Sequence, residues 1–453
     1  MRPILTIVLA LALVMAVCSG CSSDTGSSSK SGKHTTSSSE SGKDTNVAGK
    51  DTNVDLENPQ IRVSINDNTP PPQGEDAFTP VTVSFVGNDT VMPVRGTDDR
   101  YHVVYELILT NTKPVPATLK AVKVLEAGNG SEVLGLKGKD LIDNLRTLDV
   151  QPVKGASLPP NESRLLYITA IFDKKDAIPD ALEHRIEVNG ADNPGATKPT
   201  PLSYEAGHLT LSKDPPPVFS PPLAGQGWIA INGCCGLGHP HRESVQSANG
   251  KLDNSQRFAI DFMRLDSDGR LVEGDASKNS SFVDYGAPVM AAGDGVVVST
   301  LDKLEDNEPG ALPDPRVFTE LGIASVDGNH VVIDHGNGLY SFYAHLQKGS
   351  VKVKVGDKVQ AGDELGLLGN TGNSSAPHMH FQIMNGPSPL GSEGVPYVFD
   401  SFKLAGVAHP TEDEFDKALF EGAATFPSRA KLNPVERRDE MPLDNAIMGL
   451  PGG

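Results

Sequence analysis

In Tyr101-His-Val-Val-Tyr-Glu-Leu-Ile-Leu-Thr110 the alternate residues Tyr101, Val103, Tyr105, Leu107 and Leu109 are apolar or aromatic. Leu166, Ile168, Ala170 and Phe172 repeat the pattern between Arg164 and Phe172. A period of two places such side chains on one face of an extended strand and cannot build the apolar stripe of a helix. Asn111-Thr112, Gly128-Asn129-Gly130 and Pro159-Pro160-Asn161 separate the runs as turns. With 46 Gly and 35 Pro available to interrupt longer elements, the chain reads as all-β.

Residues 60–213 are expected to form an immunoglobulin-like β-sandwich that serves as a spacer or binding module. His102, His184 and His208 read there as surface or packing histidines. Asp214-Pro-Pro-Pro-Val-Phe-Ser-Pro-Pro222 is a stiff connector and the expected domain boundary. A second β-rich, Gly-rich domain follows over 223–402, then a polar tail over 403–453 with a short helix near Glu412–Phe420.

The 453 residues carry 58 acidic against 39 basic side chains, a net charge of −19, which argues against nucleic acid as a partner. It argues equally against adhesion to anionic lipid by charge alone. The first 21 residues suggest another route to a membrane. Arg2 precedes the apolar run Ile4–Val17, too short to span a bilayer, so it reads as a cleaved export signal. Cys18-Ser19-Gly20-Cys21 resembles a bacterial lipobox, with Cys21 as the acylated residue, although Cys18 stands where Leu is usual. Residues 22–58, rich in Ser, Gly and Thr, are expected to form a disordered tether. The expected location is outside the cytoplasm, on a membrane, facing the cell wall or periplasm.

The chemistry concentrates near Gly369-Asn-Thr-Gly-Asn-Ser-Ser-Ala-Pro-His378-Met-His380-Phe-Gln-Ile383. A strand there turns His378, His380 and Gln382 to one face, with Met379, Phe381 and Ile383 on the other. The two imidazoles then lie roughly 7 Å apart, which suits one metal ligand and one proton handler. Phe258, Ile260 and Phe262 similarly point inward and leave Asp261 on the opposite face, as a ligand or as a solvated edge charge.

Asp261, Tyr343-Ala-His345-Leu346 and the Pro377-His378-Met-His380 strand resemble the lysostaphin/LytM-type zinc metallopeptidases in order and spacing. The resemblance extends through Gly286–Gly295, Gly328–Gly336 and Val355–Gly366, about residues 257 to 400 in all. It implies an antiparallel β-sandwich with an open groove, a zinc ion, and cleavage of peptidoglycan peptides. It also implies Asp261 and His380 as zinc ligands and His345 and His378 as catalytic histidines, without assigning the two catalytic roles between them. His330 and His335 read as structural.

The chain departs from that family at Arg257, which stands where a third ligand histidine is usual. Arginine has no lone pair to give a metal. His241, or alternatively His239, in Gly236-Leu-Gly-His239-Pro-His241-Arg242 is the expected replacement. The competing reading is a degenerate module that binds wall peptides or regulates another hydrolase, with a regulatory protein as a further partner. A lipoyl- or biotinyl-type carrier, suggested by Val355–Gly366, lacks a suitably placed lysine. Leu301–Gly328 reads either as a substrate rim or lid or as an acidic insertion. Cys234 and Cys235 have three open states: a vicinal disulfide, a bond between chains, or free thiols.

Overall fold

The strand Tyr101–Asn111 is the centre of the first sheet, flanked by Val81–Phe85 and Ser163–Phe172, with Leu145–Arg146 beyond the latter. The facing sheet runs Thr90–Val91, Thr200–Leu211, Ala181–Gly190, Ala117–Glu126, Glu132–Lys137. Val103, Leu107, Leu166 and Ile168 of one sheet meet Val122, Val124, Ile186 and Val188 of the other in a shared core, as the alternation requires. His184 is packed inside this sandwich, with its Nε2 2.8 Å from the Tyr105 hydroxyl. These elements belong to a computed structural model that describes residues 78–311, 313, 316–422 and 428–452. The expected export signal, Cys21 and the tether lie outside the described residues. Among the described residues, no helix is long and apolar enough to cross a membrane.

A ten-stranded sheet follows, in the order Lys358–Val359, Gly295–Leu301, Asn329–Asp334, Tyr340–Leu346, Met379–Met384, Ile260–Arg264, Gly225–Ile231, Ala446–Leu450, Phe402–Ala408, Ser428–Arg437. Its inner face is closed by Phe262, Phe381, Tyr343, Tyr397 and Phe399. The last three strands correct the expectation of a polar tail. Phe402, Leu404, Met448 and Leu450 are buried in the same core. The expected helix is present as Glu412–Phe420, capped by a reciprocal Thr411–Glu414 pair.

The proline-rich connector is packed onto the second lobe. Val218–Phe219 pairs in parallel with Val398–Phe399, and the Phe219 ring is buried. Nor are the two lobes independent, because Val94 and Val104 of the sandwich enter the core of the large sheet. The outer face of the first sandwich sheet, through Leu165 and Tyr167, packs on Val245.

Candidate metal centre

Strand register assembles the site. Asp261 on Ile260–Arg264 lies directly opposite His380 on Met379–Met384, and Ala344 lies opposite His380 on its other side. Ile231 pairs with Asp261 from the third neighbour. One row across four strands therefore presents Asp261 and His380, with Asn232 and His345 one residue beyond its ends. Cross-strand neighbours on one face sit about 4.5–5.5 Å apart at Cβ, close enough for both side chains to reach one ion.

His241 comes from the loop after Ile231. Its Nε2 lies 3.3 Å from Asp261 Oδ2, and His380 Nδ1 lies 3.1 Å from Asp261 Oδ1. The donor atoms of His241, Asp261 and His380 all fall within 4.8 Å of one another, and all three residues are buried. A tetrahedral zinc with bonds of about 2.0–2.2 Å separates neighbouring ligand atoms by roughly 3.3 Å, so the donor set fits that ion. His239 is elsewhere, with its Nε2 3.6 Å from Asp444. Arg257 is not part of the cluster; it pairs with Glu106 and Glu393.

Acceptors behind the rings fix which nitrogen faces the site. His241 Nδ1–H donates to the carbonyls of Asn232 and Ala259, at 3.0 and 3.2 Å. Gln382 donates from Nε2 to the Pro389 carbonyl, so its Oε1 accepts from His380 Nε2–H at 2.8 Å. This leaves Nε2 of His241 and Nδ1 of His380 as lone pairs directed at Asp261. Asn232 Nδ2 donates to Asp261 Oδ2 at 2.8 Å.

His345 and His378 flank the cluster, with ring centroids 4.4 Å apart. His345 Nδ1–H donates to the Thr371 carbonyl at 2.7 Å, and His378 Nδ1–H to the Ala376 carbonyl at 2.8 Å. In both, Nε2 is the free nitrogen; that of His378 lies 3.4 Å from Asp261 Oδ1. His345 has φ +62°, a costly conformation for this residue type and one that recurs at functional sites. Gly328 and Gly372 make the support possible. Both have positive φ, and a methyl on either would collide with the other segment's backbone beside Thr371.

Burial opposes ionisation of Asp261, yet the imidazoles of His241 and His378 hold its carboxyl well below the usual range. Burial also opposes charging of His378 and His380, and Asp261 outweighs it and raises both. His345 is pushed well down by burial, then by His378 and His380, and so stays neutral.

Sequence reading gave Asn232, Thr371 and Asp327 no place here and Gln382 no role. Gln382 had a local signal, since it shares the strand face of His380. Asp327 is buried, and that burial raises its carboxyl against the opposing effect of His380 and His241; nothing local to its sequence indicated this. Asp284 is buried without a hydrogen-bond partner for either carboxyl oxygen, and burial pushes it to about 8. His330 and His335 lie outside the cluster, with Nδ1 held by the Gly328 and Asp294 carbonyls. The Leu301–Gly328 segment is stitched to the site loop, because Asn307 Nδ2 donates to the carbonyls of Gly372 and Ser374. Cys234 and Cys235 are joined as a vicinal disulfide.

A buried carboxylate with two imidazoles, flanked by two further imidazoles on an antiparallel sheet, is a donor set that could hold a metal ion of the kind that serves hydrolysis. Residues 280–391 match Peptidase family M23, so the chain carries a domain of that family. The matched stretch includes His345, His378 and His380; His241 and Asp261 lie before it. The chain is similar to the peptidoglycan DD-endopeptidase ShyA of Vibrio cholerae, 38% identical over 107 residues, covering 24% of this chain and 20% of that protein. It is also similar to the glycyl-glycine endopeptidase ALE-1 of Staphylococcus capitis, 38% identical over 104 residues, covering 23% of each. The chain thus spans about a fifth of the length of the curated relatives it matches. Among solved structures, the catalytic domain of lysostaphin from Staphylococcus simulans aligns at 24% identity and TM-score 0.21, covering 37% of this chain and 88% of that one.

Proposed function

We propose that the protein is a zinc metalloendopeptidase that hydrolyses peptide bonds of peptidoglycan. The observation that carries this reading is the convergence of His241, Asp261 and His380 within 4.8 Å, each with its lone pairs directed inward. The family match over 280–391 and the two endopeptidase relatives support the substrate class.

Zinc, when bound, supplies Lewis-acid polarisation of the scissile carbonyl and acidifies water. Asp261 and the two ligand imidazoles hold the charge in place. His345 and His378 present free Nε2 atoms to the same space, where one accepts a proton from water and the other donates to the carbonyl oxygen or the leaving amine. The buried Arg257–Glu106 pair accounts for the arginine without removing a ligand, because His241 occupies the third position.

Purified full-length chain should bind about one zinc per site and release peptide fragments from purified peptidoglycan. Full activity in Asp261→Ala or His380→Ala would refute the site. The further reading, an exported lipoprotein anchored through Cys21, is supported by the Ile4–Val17 run and the Cys18–Cys21 pattern. It predicts fatty-acid labelling in cells that Cys21→Ala abolishes.

A further inference from the structure

We propose that Glu106, on the sandwich strand, is a positioning residue for the metal centre: the N-terminal sandwich fixes the loop that delivers His241. The inference rests on the reading of His241 as a ligand. Asp261 and His380 are held by strand pairing, whereas His241 lies between strands, after Gly225–Ile231 and before Gln246–Ala248. Its ring is set by carbonyls of its own lobe, but the side chains of Arg242 and Glu243 that follow it, and the Cys235 carbonyl before it, are anchored to the sandwich.

Arg242, the next residue, is 1% exposed and reaches under the sandwich. Its Nη2 donates to the carbonyls of Tyr105 and Ile168 at 3.0 and 3.1 Å, and its guanidinium lies over the Tyr167 ring at 4.8 Å. The same guanidinium pairs with Glu106, which is fully buried. Glu243 accepts from Arg146 at 2.6 and 2.9 Å, and the Cys235 carbonyl accepts from Thr169 at 3.0 Å.

A second route joins Glu106 to His241 itself. Asn254 Nδ2 donates to Glu106 Oε1 at 3.2 Å and to the Arg242 carbonyl at 3.0 Å. Ser244 Oγ lies 2.8 Å from both Asn254 Oδ1 and the His241 carbonyl. Glu106 also accepts from Arg257 Nε at 3.0 and 3.1 Å, and Arg257 pairs onward with Glu393. Two carboxylates thus balance two guanidiniums in a buried quartet, an arrangement whose geometry is rigid because any displacement exposes an unpaired charge to a low-dielectric interior.

The test is zinc affinity of the full chain, measured by chelator competition. Glu106→Gln with Arg242→Gln removes one charge of each sign and leaves Arg257 paired with Glu393. Secondary structure should persist while the zinc dissociation constant rises on the order of 10–100-fold, as for other residues that orient ligands. In a His241→Ala background the same pair of substitutions should add little, because the loop then delivers no ligand. Unchanged affinity in the folded double variant would overturn the proposal, as would a loss that persists undiminished without His241. Should the double variant not fold, Ser244→Ala decides alone: a smaller loss of affinity supports the link, and none overturns it. A wild-type chain that takes up no zinc would instead defeat the peptidase reading.

Discussion

Gln382 Oε1 accepts a hydrogen bond from His380 Nε2–H at 2.8 Å, and the Pro389 carbonyl holds the amide in that orientation. The tautomer of His380 is therefore decided two residues along its own strand, on the same face. Gln382→Leu keeps much of the volume and removes the acceptor. We expect zinc affinity to fall on the order of 10–100-fold while the sheet stays folded. Chelator competition and circular dichroism on the same preparation measure the two effects.

His380→Ala and His345→Ala should separate binding from chemistry. His380 has a lone pair directed at Asp261, whereas His345 stands on a different strand with its ring centroid 6.0 Å from that of His380 and its Nδ1 held by the Thr371 carbonyl. The first variant should lose zinc. The second should retain it and lose on the order of 10²–10⁴ in turnover, the usual worth of a proton-transfer group. Metal analysis paired with peptide release from peptidoglycan distinguishes them, and zinc loss in both would remove His345 from the catalytic role.

Acid should weaken the sandwich through His184. Burial lowers this imidazole from 6.5 to about 4, and its Nδ1–H donates to the Gly207 carbonyl while Nε2 accepts from Tyr105. Between those values the unfolded chain binds the extra proton. The contribution is thus complete above pH 6.5 and is lost as pH falls toward 4, by about 3 kcal/mol in all. Asp284 acts with the opposite sign: its carboxyl, raised from 3.8 to about 8 by burial, gives the folded state a contribution that is complete below pH 3.8 and is lost steadily as pH rises from there to about 8. Urea unfolding from pH 4.5 to 8.5 should show stability falling with rising pH below 6.5 in His184→Gln, where the Asp284 loss is no longer offset, and a flatter profile between pH 6.5 and 8 in Asp284→Asn.

The strands that carry the site were legible because their inner faces are made of large residues: Phe258, Ile260 and Phe262, then Met379, Phe381 and Ile383. The closing strands were not. Phe402-Lys-Leu-Ala-Gly-Val-Ala408 buries alternate residues, but two of the four are Gly406 and Ala408, too small to mark a face by hydropathy. Their partners also lie far off, since Gly225–Ile231 pairs with Ala446–Leu450 across more than half of the described chain. Glu106 shows a second limit. It sits between Tyr105 and Leu107 at a position that period two assigns to solvent, and it is fully buried. Alternation reports which face meets the strand's own sheet partner, and it is silent about a second lobe docking on the other side.

Arg257→His tests whether the local motif or its tertiary setting governs this position. A local reading predicts gain, because the substitution restores the histidine that LytM-type peptidases carry four residues before the aspartate. The structure predicts loss. Arg257 is buried, donates to both carboxyl oxygens of Glu106 and pairs with Glu393, while His241 already meets Asp261. A histidine is too short to bridge the two glutamates, so Glu393 is left in an interior where burial already raises its carboxyl. Removing one partner of such a group costs about 3–5 kcal/mol. Denaturant unfolding should show that loss, and zinc stoichiometry should not rise. An Arg257→His protein as stable as wild type and tighter for zinc would mean that the strand position, not the loop, is the natural home of the third ligand.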